Sequence, residues 1–246
     1  MSVWIAVPSA KPIAEVDRFV EAWRDMGYSV ALRFDIGKPT TDCDYMQYGK
    51  YQGYANSVNG LVADILKMDT ACEWIVTGGD DTFPDATKRA EEIAGECSKH
   101  FQHKNARIFN EMAYAQQETL NGVNWSTFGV MQPTGDGHGI ESVCGSPWMG
   151  REFCQRINGG NGPLWHQYWH LFVDNELQAV VKRLGVLWQR PDLRHEHRHW
   201  SYTGNQAPDY IRHATRQSHY LEAQALFNRR EKAGFPGHEP VAAVAA

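Results

Sequence analysis

The stretch EWIVTGGDDTFPD, residues 73 to 85, ends an apolar run with two glycines and then sets Asp80 beside Asp81. Adjacent carboxylates repel each other. At the end of a strand they are most readily kept ionised by a bound divalent cation, Mn²⁺ or Mg²⁺, which takes oxygen ligands. The alternative is an aspartate-rich turn that caps a helix starting at Pro84. A second set of potential ligands lies in RHEHRHW, residues 194 to 200, where His195, His197 and His199 alternate and so share one face if the chain is extended. Alternate residues on one strand rarely converge on a tetrahedral ion, which disfavours a zinc site made of these histidines alone. Two further carboxylates, Asp174 and Glu176, open a helical pattern in FVDNEL. Trp148, Trp165, Tyr168 and Trp169 lie in or near the glycine-rich stretch GGNGPLWHQYW. Aromatic faces of this kind either stack on sugars and bases as an acceptor platform or fill a core.

The elements that must position these groups follow from periodicity. Val3 to Val7 reads as a buried strand that Pro8-Ser9 turns toward a helix, with Pro12 at its start and Gly27 past its end. Tyr28 to Phe34 is a second strand, ending at Asp35. A helix with Val58, Leu61, Val62, Ile65 and Leu66 on one face leads into the Trp74–Thr77 strand. Strand, helix, strand, helix, strand implies right-handed crossovers and parallel strands, so Asp35 and Asp80-Asp81 meet at the carboxyl edge where open α/β sheets bind ligands. Beyond Lys99 the pattern weakens. Short strands are expected at Ala106–Phe109 and Gly129–Gln132, a loop at GDGHG (135 to 139), a short helix after VCGSPWMG, a helix from about Phe172 to Leu184, a strand from Val186 to Arg190, and an outer helix from about Gln217 to Ala233. The tail from His238 reads as frayed.

Composition narrows the class. At 246 residues and 42% hydrophobic the chain can bury a large core, and the net charge of −5 argues against broad, non-specific nucleic-acid binding. Basic charge is local: residues 182 to 239 hold ten Lys/Arg against six Asp/Glu. Five cysteines without a CxxC pair suggest neither a thiolate zinc site nor a disulfide framework and fit a reducing cytoplasm. No run approaches the ~18 apolar residues of a membrane span, and the N-terminus lacks a basic segment before its apolar run.

Four features stand in the order found in one family. They are Pro-Ser after the first strand, Asp-Asp at a central strand exit with Pro three residues on, an acidic group opening a later helix, and a histidine after the following strand. From about Val3 to Trp200 the chain resembles the GT-A fold glycosyltransferases, in particular family 2-like enzymes. The resemblance implies a Rossmann-like, mixed but mainly parallel sheet flanked by helices, in a single domain. Residues 1–100 would form the nucleotide-sugar-binding half and 101–216 the acceptor-binding and catalytic half, with 217–246 a C-terminal helix and tail. By the same resemblance Asp81 binds the metal, Asp80 the metal or the donor ribose, and one of His195, His197 and His199, with His197 preferred, supplies the late histidine ligand. Asp174 is the general base on the acceptor hydroxyl, with Glu176 a second acid within reach. Pro8, Ser9, Asp35 and Asn59 contact the nucleotide of the donor, a UDP-sugar being favoured. The chain departs from the pattern at Gly79, where the family carries its first acidic residue, and at Val173, where it carries a glutamate. DLRHEHRHW followed by FNRREKAGF also looks like small bacteriophage glycosyltransferases, some of which modify hydroxymethylated pyrimidines in DNA. DNA with modified bases is therefore one acceptor the resemblance implies, and host cytoplasm the location if the chain is phage-encoded. Two rivals stand beside this reading: a nucleotidyltransferase on a similar sheet, disfavoured because VPSAKP lacks a glycine-rich phosphate loop, and a non-catalytic glycan- or nucleic-acid-binding domain.

Overall fold

The computed structural model describes residues 1–35, 41–111, 122–135, 143, 145–199, 212 and 216–238. Most of the loop expected at 135–139, and the tail beyond His238, lie outside these residues. The described strands are β1 Ser2–Pro8, β2 Ser29–Phe34, β3 Tyr45–Tyr48, β4 Cys72–Val76, β5 Thr82–Phe83, β6 Val130–Gly135, β7 Trp148–Gly150 and β8 Leu187–His197. The helices are α1 Ile13–Asp25, α2 Tyr54–Met68, α3 Ala90–Glu111, α4 Arg151–Arg156, α5 Val173–Arg183 and α6 Gln217–Lys232. All eight strands join one mixed sheet in the order β3-β2-β1-β4-β7-β6-β8-β5. β1 pairs in parallel with both β2 and β4, while β7 runs antiparallel between β4 and β6. Because β6 and β8 are again parallel, β1, β2, β4 and β8 all end at the same edge.

The pleat of β1 divides the core. Val3, Ile5 and Val7 pack with Phe19 and Trp23 of α1 and Ile93, Cys97 and Phe101 of α3, whereas Trp4 and Ala6 pack with α2, α4 and α5. A parallel strand buried on both faces reads as an unbroken apolar run, as SVWIAV does.

Three expectations change. Ala106–Phe109 is not a strand but the continuation of α3. The helical period runs on through Asn105, which occupies a buried position and donates from Nδ2 to the carbonyls of Trp125 (3.1 Å) and Phe128 (2.6 Å). A polar residue at a core position hid the period. No helix starts at Pro84: Thr82 and Phe83 form β5, and α3 begins only at Ala90. The helix-capping account of Asp80-Asp81 is thereby removed. Finally, His238 is not frayed but 5% exposed and bonded to Glu176. Among the described residues, no helix is long and apolar enough to cross a membrane.

Candidate functional site

The GGDDTFPD turn ties two distant strand ends together, and its three aspartates have three partners. Asp80 faces the end of β1: Ser9 Oγ donates to its Oδ2 at 2.6 Å, and Lys11 Nζ lies 3.1 Å from its carbonyl and 3.7 Å from Oδ1. Asp81 faces the end of β8, where His197 Nε2 lies 3.2 Å from Oδ1. Asp85 is buried and accepts from the backbone N–H of Arg194 (2.6 Å) and Thr87 (2.7 Å), which fixes the turn to β8. The register that makes this possible is antiparallel pairing of Thr82 with His197 and Phe83 with Glu196, extended by Arg198 N–H on the Asp81 carbonyl at 2.8 Å. Strand β5 is only two residues long, yet it decides which histidine meets the carboxylate.

Electrostatics separates the two adjacent acids. Burial pushes the Asp80 carboxyl up, and the neighbouring Asp81 charge adds to this against the pull of Lys11 and Ser9; the net direction is upward. Burial also opposes ionisation of Asp81, but the hydrogen bond and charge of His197, with Lys11 and His199, outweigh it and hold Asp81 below the usual range. The two adjacent acids are thus shifted in opposite directions.

Gly79 explains the departure from the expected acidic triplet. A Cβ placed there would sit 2.2 Å from Asp81 Oδ1, so the Asp81 carboxylate occupies the volume that a side chain at 79 would need. Gly79→Ala is expected to push Asp81 off His197 and to weaken any divalent-cation binding about tenfold, with little change in melting temperature. Mn²⁺ titration of both proteins checks this.

Around this centre the same edge gathers a cluster of further side chains. Tyr51 N–H donates to Asp35 Oδ1 at 2.8 Å. Its phenol, pushed up first by burial and then by the charges of Asp35 and Asp80, stays neutral. Trp169, 43% exposed, meets the Tyr51 ring edge-on at 5.4 Å. Tyr54 donates to the Gly78 carbonyl (3.2 Å) at the β4 exit. Its phenol is raised chiefly by burial, and the Asp174 charge contributes. Asp174, partly exposed at the start of α5, is close enough for its charge to act on that phenol.

Several expected site residues stand elsewhere. Glu176 is 1% exposed and accepts hydrogen bonds from Tyr168, Arg230 and His238. With its lone pairs taken it is not available as a base. Asn59 uses both amide atoms on the Leu164 backbone (2.7 and 3.0 Å), so it anchors the glycine-rich loop rather than contacting a donor. Trp148 is fully buried, its indole N–H pointing to His195 Nε2 at 3.5 Å, and is core rather than platform. Trp165 faces the Arg230 guanidinium at 3.5 Å; of the three tryptophans Trp169 is the one that meets Tyr51. Pro8 and Ser9 remain at the β1 exit, Ser9 N–H bonded to the Arg33 carbonyl at 2.9 Å. Lys11, Tyr51 and Tyr54 join this cluster although the sequence does not mark them as site residues. For Lys11 the signal was present: it lies two residues beyond Ser9, on the turn that faces Asp80.

His195 is excluded as a ligand. It is 1% exposed, with Nε2 accepting from Trp148 and Nδ1 against Ser146 Oγ at 3.0 Å. Burial pulls its pKa down to about 4. Because this folded value lies below the unfolded one of about 6.5, the neutral ring favours folding fully above pH ~6.5 and loses that contribution as pH falls toward 4. Up to roughly 3 kcal/mol should disappear across that window. Urea unfolding at pH 7.0, 5.5 and 4.5 measures it; a flat profile would contradict the placement.

Asp81 and His197 bring a carboxylate oxygen and an imidazole nitrogen to one point, a donor pair that suits Mn²⁺ better than Mg²⁺. Among the described residues no group of three or more His, Cys, Asp or Glu side chains is placed to hold a metal ion. Asp81 and His197 alone could offer at most two protein ligands to a cation at this point. No protein-family model and no curated protein matches the chain.

Proposed function

We propose that the chain is a metal-dependent glycosyltransferase of the GT-A type that moves a sugar from a nucleotide-diphosphate sugar to an acceptor hydroxyl. One observation carries the reading. Ser9, the Asp80-Asp81 pair and His197, from three distant segments, meet at the common carboxyl edge of β1, β4 and β8, and Tyr51 lies within reach of the charges of both Asp35 and Asp80. The mixed, mainly parallel sheet supports it, because open α/β sheets generally bind ligands at this edge.

In this reading Asp81 and His197 hold the divalent cation, which supplies Lewis-acid stabilisation of the charge that develops on the departing diphosphate. Asp80, kept near Ser9 and Lys11, takes a hydrogen bond from the donor ribose, and the Lys11 ammonium adds positive charge on the same side. Asp35 and Tyr51 border the nucleobase side. Asp174 takes the proton from the acceptor hydroxyl as it attacks the anomeric carbon, and Trp169 offers its face to the acceptor. DNA carrying hydroxymethylated pyrimidines remains the most specific acceptor to try.

Calorimetry with UDP and with GDP, each with and without Mn²⁺, tests the donor half. Tight binding of one nucleotide that needs the metal is expected. Binding of neither nucleotide under either condition would end the reading.

A further inference from the structure

The chain between Leu164 and Glu176 carries Trp169 and Asp174, and it is held from two sides. On one side α2 grips it: Tyr54 N–H bonds the Trp169 carbonyl at 2.6 Å, Asn56 Nδ2 the His166 carbonyl at 3.1 Å, and Asn59 the Leu164 backbone. On the other side the grip comes from α6 and the residues after it. The Phe172 ring packs against Tyr220 (5.4 Å) and Phe227 (5.6 Å). Arg230, 7% exposed, donates from Nε to both Glu176 oxygens (2.8 and 2.9 Å) and from Nη2 to the Pro236 carbonyl (3.0 Å), while its guanidinium lies 3.5 Å over the Trp165 ring. Tyr168 and His238 each reach the same carboxylate at 2.6 Å.

Between the two anchor points the backbone is strained. Phe172 adopts φ 67°, ψ −2°, a left-handed conformation that a bulky residue keeps only when its surroundings over-determine it. This residue is the N-cap of α5, and its conformation sets where the next turn, with Asp174, begins. A strained cap adjacent to a candidate base, pinned by a distant helix, is an arrangement that fixes a side chain in place.

We propose that Arg230 is a positioning residue of the site. Joined to Glu176 and stacked on Trp165, it keeps the 164–176 segment in the strained form that sets Trp169 against Tyr51 and holds Asp174 near Tyr54. The catalytic part of this inference rests on the glycosyltransferase reading; the positioning part does not.

The test uses the full chain as native protein, as Arg230→Met, and as the Arg230→Met, Glu176→Gln pair, which removes both charges and preserves folding if the single variant does not fold. Hydrogen exchange should show protection of 164–176 falling at least tenfold while peptides of β1, β2 and β4 are unchanged. UDP affinity with Mn²⁺ should stay within threefold. Release of UDP from UDP-glucose, counted per nucleotide-binding site, should fall at least tenfold at unchanged KM. Loss of protection spread over the whole sheet, or unchanged protection of 164–176, overturns the positioning role. A native chain that binds no nucleotide but still shows the localised exchange keeps the positioning role and removes the glycosyltransferase reading alone.

Discussion

Asp81→Asn is expected to abolish the gain in nucleotide affinity that Mn²⁺ confers, a loss of roughly a hundredfold or about 2.7 kcal/mol. The asparagine is nearly isosteric and its side-chain oxygen can still accept from His197 Nε2, so the turn has no reason to move. Arg198 N–H continues to bond the carbonyl of residue 81, and the Thr82–His197 pairing is untouched. What disappears is the charge. Asp81 is the acid held below the usual carboxylate range by His197 and Lys11, hence the anion that a cation would meet. Asp80→Asn should cost less in metal dependence, because Asp80 is pushed upward by burial and is already engaged by Ser9 and Lys11. Calorimetry of UDP with and without Mn²⁺ on the three proteins, with melting temperatures as the control, reads the difference. Equal affinities with and without metal in the native chain and in Asp81→Asn would remove Asp81 from the metal site.

Much of the parallel half was legible because its strands are buried on both faces and its helices are amphipathic. SVWIAV and SVALRF read as apolar runs, and Val16, Phe19, Val20 and Trp23 fall at helical spacing on α1. The strands that were missed are short. β7 has three residues and β5 two, too few for any period to show, and β3 is a four-residue edge strand whose side chains are only partly buried. They are defined by their neighbours rather than by their own pattern. The site divides in the same way. Asp80, Asp81 and Asp35 could be placed because each follows a legible strand. The choice of His197 over His195 hangs on the β5–β8 register, which turns His195 into the core beside Trp23 and Trp148. The burial of Glu176 depends on Arg230 and His238, 54 and 62 residues downstream. No local pattern encodes such a pairing, and the same holds for Asn59 and the loop carbonyl of Leu164, 105 residues away.

Asp174 and Glu176 are two residues apart on one helix and should fail in opposite ways when replaced. Glu176→Ala would strand Arg230 and His238, 7% and 5% exposed, around the space left by the carboxylate. Removing one partner of a buried charged cluster typically costs about 3–5 kcal/mol, because the surviving charge keeps its desolvation penalty without its counter-ion. For a chain of this length that corresponds to a fall of roughly 10 °C in melting temperature. Burial works against ionisation of Glu176, but His238, Arg230 and Tyr168 hold it below the usual range. Its contribution is therefore present above the normal carboxylate pKa and lost as pH falls through the lowered value, so the difference between native and variant should shrink in acid. Asp174→Asn keeps a side-chain oxygen near the Asn175 N–H that Asp174 Oδ1 now accepts at 3.0 Å, and the position is partly exposed, so the melting temperature should fall far less than in Glu176→Ala. Under the glycosyltransferase reading its turnover should nonetheless drop by about 10²–10⁴, the usual worth of a positioned base, at unchanged affinity for UDP with Mn²⁺. Thermal melts at pH 7 and pH 4 and a UDP-release assay on both variants separate the two acids. A Glu176→Ala protein as stable as the native chain would contradict the buried cluster, and an Asp174→Asn protein of full activity would return that carboxylate to the role of a helix-start residue.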